Sequence, residues 1–377
     1  MGRTTKKTKT EKLAEQVDSF EPEVNDDDDR DAKDPNNFIP TGSIMLNLGL
    51  SDMWNGGWMK GRMHQLIGDS STGKTLVAVT TLACMTQEKR FDNYRLIFDD
   101  IERGCGFDIT DVSKRLAERI EPPREPTEED DGYSDSIEDF WDNITNAIED
   151  GRPFVYIVDS WDSLDSLDDK KKLAQQKKDR EEGKETKGSY GGAKPKKASE
   201  LLRNIKSSIK KTDSILIIIS QTRESMDTFS FEKRYVAGGK AIRFYSWSRM
   251  WLVWAGKITR GSDKKKVQIG GRSLIDIDKN RTTGKKRKVP MAIYDEFGLD
   301  DLGPTIDFMV EWSEKWKKSK ASIKCPKTFL DGATMSRTKL IETIEAKGLE
   351  KELAKHAQKA WNEREASLKL NRKKRFH

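Results

Sequence analysis

Short, nearly continuous apolar runs recur from Phe38 onward, separated by longer stretches with the spacing of helices. The clearest are Arg62 to Ile67, Tyr94 to Phe98, Phe154 to Val158 and Ser214 to Ile219. Strands buried on both faces of a sheet read this way. Their alternation with helical stretches, one of them running from Leu76 to about Gln87, predicts an α/β fold with a mostly parallel sheet covered by helices. Met250 to Trp254, Leu274 to Ile277 and Val289 to Tyr294 read as later strands with hairpin-like connections. Thr338 to Lys369 reads as helices rich in Lys, Glu and Ala. The pattern therefore divides the chain into a polar arm (1–37), an α/β core (38–318) and a small helical unit (319–377) ending in the basic tail Arg372-Lys373-Lys374-Arg375. No internal repeat is evident.

Composition narrows the class. Charged residues (36%) outnumber apolar ones (34%), which predicts an ionic surface around a core still large enough to fold. The net charge of +6 is mild, but the charge is segregated into blocks, such as the acidic run Asp26 to Asp29 in the arm. That arm reads as a flexible segment, with docking on a neighbouring subunit as its alternative role. Cys84, Cys105 and Cys325 lie far apart, and His64, His356 and His377 share no ligand spacing. Neither a disulfide framework nor transition-metal chemistry is expected. The most apolar run, Ile215 to Ile219, is too short to cross a bilayer, and a signal-peptide core is not evident. The expectation is a soluble cytoplasmic protein without membrane contact.

The chemistry is most specific at Gly68-Asp69-Ser70-Ser71-Thr72-Gly73-Lys74-Thr75, which fits G-x-x-x-x-G-K-[ST] between a predicted strand and a predicted helix. Glycines let such a loop curl its N–H groups toward phosphates at a helix N-terminus. Lys74 would set a charge against the β- and γ-phosphates, and Thr75 would ligate Mg²⁺. Asp159 ends the apolar strand from Phe154 and is the second acidic position, holding the metal through water. Glu102, just past the strand Tyr94 to Phe98, is the candidate for orienting the attacking water, with Asp100 as competitor.

Two stretches interrupt the globular pattern. Asp168 to Lys197 is dense in Lys and Arg, and Thr222 to Lys240 mixes cations with Met226, Phe229, Phe231 and Tyr235. Both follow buried strands, on the carboxyl edge where open α/β sheets bind ligands.

Taken in order, these motifs resemble a known family. Thr41-Gly42-Ser43, the phosphate loop, Asp100-Ile101-Glu102, Val158-Asp159-Ser160, Ile219-Ser220-Gln221, Gly238 through Tyr245 and Asp278-Lys279-Asn280-Arg281 resemble RecA-type ATPases over residues 38 to about 305. The glycine pair followed by Phe244-Tyr245 resembles recombinases more than ring helicases. Lys279-Asn280-Arg281-Thr282 and the helical C-terminal unit resemble phage recombinases of the UvsX type. The resemblance implies a RecA-like P-loop ATPase core that uses ATP and Mg²⁺. It implies Glu102 as catalytic glutamate and Gln221 as a γ-phosphate sensor. It further implies Lys279 and Arg281, with Phe244, at an interface where they act on a neighbour's nucleotide. Asp108 and Phe107 are candidates for adenine contact, although Arg103 to Asp108 does not align with bacterial RecA.

The same resemblance makes 188–197 and 222–240 the DNA-binding loops. Tyr190, Lys194, Lys196 and Lys197 are the candidates in the first. Arg223, Met226, Phe229, Phe231, Lys233, Arg234, Tyr235, Gly238, Gly239, Lys240 and Arg243 are those of the second and its exit. Cations beside flat side chains suit single-stranded DNA, where a stacked base contributes about 1–3 kcal/mol. The implied partners are single- and double-stranded DNA, further copies of the chain in a helical filament, and single-strand-binding and loader proteins. A RecA-fold ring helicase, or a mediator that binds ATP but hydrolyses it weakly, are the competing readings.

Overall fold

The computed structural model describes residues 30–105, 108–182, 193–224, 234–236, 239–262 and 265–372. Its first elements are β1 (Phe38–Ile39), α1 (Ile44–Ser51), β2 (Trp58–Met59), β3 (Arg62–Gly68), α2 (Lys74–Met85) and β4 (Arg95–Asp100). Then come β5 (Ile120–Glu121), α3 (Ile137–Glu149), β6 (Phe154–Asp159), α4 (Leu167–Glu181), α5 (Ala193–Lys211) and β7 (Ile215–Glu224). Next are β8 (Arg234–Val236), α6 (Gly239–Tyr245), β9 (Ser248–Arg260), β10 (Val267–Asn280), β11 (Arg287–Tyr294) and β12 (Gly298–Asp300). The last helices are α7 (Leu302–Trp312), α8 (Arg337–Lys347) and α9 (Glu350–Ser367).

The main sheet runs β12-β11-β10-β9-β3-β7-β6-β4-β5. Pairing is parallel from β9 through β5 and antiparallel from β9 to β12. This is the mostly parallel α/β core that the apolar runs predicted, with the later strands joined as hairpins. Strand periodicity then sorts side chains onto two faces. Val155, Ile157, Ile215, Ile217 and Ile219 pack with α1 and α2. Phe154, Tyr156, Val158, Leu216 and Ile218 pack with α3 and α5. Every one of these ten side chains is buried, which is why the runs looked uninterrupted.

The C-terminal region departs from the expected purely helical unit. It includes a three-stranded antiparallel sheet, Lys317–Ser319, Ser322–Lys324 and Thr334–Ser336. Three-residue strands are too short to leave a period in the sequence. The region also shares the core: Leu353, Ala357 and Trp361 of α9 belong to the same apolar cluster as Leu46 and Val77. Trp361 Nε1 donates to Asp52 Oδ1 at 2.8 Å, and Arg287 bridges Asp52 and Glu365 at 2.5 and 2.8 Å. Arg287 also lies over the Trp361 ring, 4.9 Å from its centroid. Among the described residues, no helix is long and apolar enough to cross a membrane.

Candidate functional site

The phosphate loop closes the carboxyl end of β3. Gly68 sits so near the Leu252 carbonyl and the Thr72 hydroxyl that a Cβ there would lie 2.6 and 2.7 Å from them. Gly73, at φ +95°, turns the loop into α2, and a side chain at this position would strike Ile293. Thr72 Oγ1 donates to the Asp69 carbonyl at 2.9 Å, and Ser273 Oγ holds the Thr72 carbonyl at 3.0 Å. Ser70 and Ser71 are exposed at the loop tip. The loop thus has the shape and the helix N-terminus that suit a polyphosphate.

Lys74 is buried, and its Nζ donates to the Asp69 carbonyl at 2.7 Å. Burial lowers its pKa, while Asp159, Glu102, Asp69 and Asp162 pull the other way. Thr75 Oγ1 donates to Asp159 Oδ2 at 2.5 Å. Burial lifts the Asp159 carboxyl to about 6, against the Thr75 hydrogen bond. A hydroxyl and a carboxylate side by side at the phosphate loop form a hard oxygen pair of the kind that suits Mg²⁺.

The two acids at the end of β4, Asp100 and Glu102, separate clearly. Asp100 accepts the backbone N–H groups of Gly104 and Cys105 at 3.3 and 3.1 Å, so it shapes the following loop. Glu102 instead faces the ends of the neighbouring strands. Its Oε1 accepts from Ser160 Oγ, from Gln221 Nε2 at 2.7 Å and from Ser163 Oγ at 3.3 Å. Its own N–H donates to the Asp159 carbonyl at 3.2 Å. Gln221 is held in turn by Asp162, whose Oδ2 accepts the Gln221 N–H at 2.5 Å.

Parallel pairing of β3 with β7 sets Gly68 opposite Gln221. The next residue, Thr222, donates through Oγ1 to Asp69 Oδ1 of the phosphate loop. Sequence reasoning missed Thr222, Ser160, Ser163 and Asp162 as parts of this network. Only adjacency of β3, β7 and β6, which joins residues far apart in the chain, could have found them. Asp99, one residue before Asp100, is a separate buried anchor. It accepts from Ser134 N at 2.9 Å, Ser134 Oγ at 2.6 Å and Tyr156 Oη at 2.8 Å, and burial raises its pKa.

Asp108 is exposed and caps a short helical turn, Ile109–Val112, accepting the Thr110 N–H at 2.8 Å. Phe107 lies outside the described residues.

The segment after Thr222 is not a loop throughout. Thr222, Arg223 and Glu224 continue β7 and pair with Val236, Tyr235 and Arg234 of β8, so a hairpin carries the expected second loop. Met226, Phe229, Phe231, Lys233 and Gly238 lie outside the described residues, as does Tyr190. Gly239 opens α6, on which Lys240 and Arg243 are exposed.

The first loop requires a correction. Residues 193–197 form the start of α5, not loop. Lys194 points inward, its Nζ donating to the carbonyls of Trp161 at 3.1 Å, Asp162 at 3.2 Å and Leu164. Lys197 bridges Glu138 and Asp168. These two cations close the protein's own carbonyl and carboxylate groups, whereas Lys196 is exposed. Lysine density alone could not distinguish inward from outward cations.

Lys279 and Arg281 lie away from their own phosphate loop. Lys279 pairs with Arg249, which pairs with Gln65, three residues back from Gly68 along β3. Lys279 Nζ caps the end of α6, donating to the Arg243 and Phe244 carbonyls at 2.6 and 2.9 Å. Arg281 reaches the Phe244 carbonyl at 3.4 Å and the face of Trp247. Burial, with Arg281, Arg249 and Arg243 nearby, lowers the Lys279 pKa to about 8.

Comparison with known proteins agrees with this architecture. Residues 164–300 match the RecA N-terminal domain family. The RecA protein of Enterococcus faecium is 25% identical over 276 residues, 72% of this chain and 69% of that protein. RecA of Leifsonia xyli subsp. xyli is 24% identical over 288 residues, 74% of this chain and 70% of its own length. RecA of Limosilactobacillus reuteri is 24% identical over 277 residues, 72% of this chain and 67% of its own. The chain is built on a RecA-like α/β core and is similar to RecA proteins along about 72% of its length.

Proposed function

We propose that this protein is a DNA-dependent ATPase that forms helical filaments on single-stranded DNA and catalyses homologous pairing and strand exchange. The observation that carries the reading is the Gln221–Glu102 hydrogen bond of 2.7 Å. It ties the acid beside the phosphate loop to the strand that leads into residues 225–233. A change at the γ-phosphate is thereby felt at the hairpin that would hold DNA.

Gly68 to Thr75 would bind ATP, with Lys74 against the β- and γ-phosphates. Thr75 and Asp159 would hold Mg²⁺, Asp159 through water, and bound Mg²⁺ neutralises charge on the phosphates. Glu102 accepts a proton from the attacking water and aligns it for displacement of ADP. Gln221 senses whether the γ-phosphate is in place. Lys279 and Arg281 complete the site of a neighbouring copy, and Phe244 lies at the same contact. Their position well back from their own phosphate loop supports that role. An isolated subunit would then be a poor ATPase, which couples turnover to polymerisation.

DNA contact is assigned to the β7–β8 hairpin and its exit: Arg223, Met226, Phe229, Phe231, Lys233, Arg234, Tyr235, Gly238, Gly239, Lys240 and Arg243. Tyr190 and Lys196 are assigned to the first loop. Within recombinases the reading favours the UvsX type, encoded by a phage and acting in the host cytoplasm with single-strand-binding and loader proteins. Lys279-Asn280-Arg281-Thr282 supports it. The testing experiment is ATP turnover with and without long single-stranded DNA, with electron micrographs of the same samples. DNA-stimulated turnover with continuous helical filaments is expected. Rings, or turnover indifferent to DNA, would overturn the reading.

A further inference from the structure

Helix α4 (Leu167–Glu181) has an unusual character for a 15-residue helix: none of its residues is buried. An α-helix polar all round needs either many internal ion pairs or a partner. Internal pairs do not account for it. Along it run a Lys172–Asp169 pair at 4.0 Å, a Gln175–Asp179 hydrogen bond and a bond from Arg180 to the Gln176 carbonyl.

The helix is nevertheless firmly rooted. Ser166 caps it by accepting the Asp169 N–H at 3.1 Å, and Glu138 accepts the Leu167 N–H at 3.1 Å. Lys197 ties Asp168 to Glu138, and Lys170 Nζ reaches the Asp135 carbonyl at 2.9 Å. The first turn is fastened to α3 and α5, and the rest extends from the edge of the sheet where β6 ends.

Lysines outnumber acids on the outward side of α4. At 3.6 residues per turn, Lys171, Lys177 and Lys178 share one face with Leu167, Ala174 and Glu181, while Lys170 on its flank is engaged by the Asp135 carbonyl. Asp169, Gln176 and Asp179 occupy the opposite side, and they alone are half-buried. The lysine stripe therefore points away from the protein. Lys171, Lys177 and Lys178 form no hydrogen bond or ion pair among the described residues. Lys171 and Lys178 are seven residues apart, roughly 10 Å along the axis. Like charges so grouped repel each other until an anion neutralises them.

We infer that the exposed stripe of α4 is a contact for the phosphate backbone of double-stranded DNA. A duplex carries a charge about every 1.7 Å of its axis, so a rigid rod of lysines meets phosphates without needing to read bases. Single strands are bound with stacking side chains, and the stripe has no aromatic residue. The inference rests on the proposed DNA-dependent function, and names the element that would engage the second, duplex partner.

The test is duplex and single-strand binding by the full chain and its K171Q/K177Q/K178Q variant, across a series of salt concentrations. Each lost phosphate contact reduces the salt slope on duplex by about 0.9, so a drop of about 2 to 3 is expected. Single-strand-stimulated ATP turnover should stay at the parent level. A second variant, K171E/K177E/K178E, should weaken duplex binding further while leaving thermal unfolding unchanged. An unchanged duplex slope would overturn the inference, as would equal losses on single strands or an effect confined to acidic proteins. If the parent chain itself shows no DNA-stimulated turnover, the ATPase reading fails, while the duplex comparison still decides the role of the stripe.

Discussion

Gln221 donates through Nε2 to Glu102 Oε1 at 2.7 Å, joining two residues that lie 119 positions apart in the chain. The bond exists because β4 and β7 both flank β6, so their ends converge beside the phosphate loop. It links the residue proposed to align water with the residue proposed to sense phosphate.

Glu102→Gln should retain ATP binding and lose hydrolysis by about 100-fold or more, the usual contribution of a positioned base. The amide cannot take a proton from water, but it keeps the size of the side chain. Single-turnover hydrolysis on DNA checks this, and filaments should outlive those of the parent. Parent-like hydrolysis would remove Glu102 from the role.

Gln221→Ala should separate nucleotide binding from DNA binding. Loss of the 2.7 Å bond cuts the tie of Glu102 to β7, whereas its contacts to Ser160 and Ser163, the phosphate loop and Asp159 are kept. ATP affinity should change by less than about threefold, while the ATP-dependent gain in DNA affinity falls by about tenfold, a coupling of about 1.4 kcal/mol. Paired titrations of nucleotide and labelled single strand measure both.

Lys279 sets a limit at alkaline pH. Its pKa in the fold is about 8, against 10.5 for the free side chain. Between these values the folded chain holds fewer protons than the unfolded one, so stability rises with pH there. The cation itself is lost above about 8, and cooperative ATP turnover should then fall by up to about tenfold per pH unit. Lys279→Arg, which stays charged, should move that limb of the pH profile upward.

His64 sets a limit on the acid side. It is buried, with Nε2 facing the Met59 carbonyl at 3.1 Å and Nδ1 facing Ser248 Oγ at 2.7 Å. A carbonyl only accepts, so Nε2 carries the proton and Nδ1 accepts from Ser248. Burial lowers the pKa from 6.5 to about 4. The unfolded chain therefore binds more protons in this window. Stability is full above about 6.5 and falls by about 3 kcal/mol as pH drops to about 4. Denaturant midpoints across this range should slope in the parent and flatten in His64→Gln.

Much of the fold was legible in the chain because strands buried on both faces leave continuous apolar runs. Phe154 to Val158 and Ser214 to Ile219 became β6 and β7 for that reason. The proposed phosphate loop was legible because its pattern is local: the glycines, Lys74 and Thr75 lie within eight consecutive residues. Apolar periodicity could not reveal the three-residue strands near residues 317–336, and it undercounted β9, whose outer half is largely exposed.

Sequence by itself thus determined the parallel core, the glycine-rich loop after β3 and the acids placed at strand ends, since each depends on neighbours along the chain. Tertiary structure alone decided which acid faces the network, Glu102 or Asp100, and which lysines point inward. It turned Lys194 toward carbonyl groups and left Lys171, Lys177 and Lys178 pointing outward. Composition counts charges, but the direction of a side chain is set by the elements packed around its helix or strand.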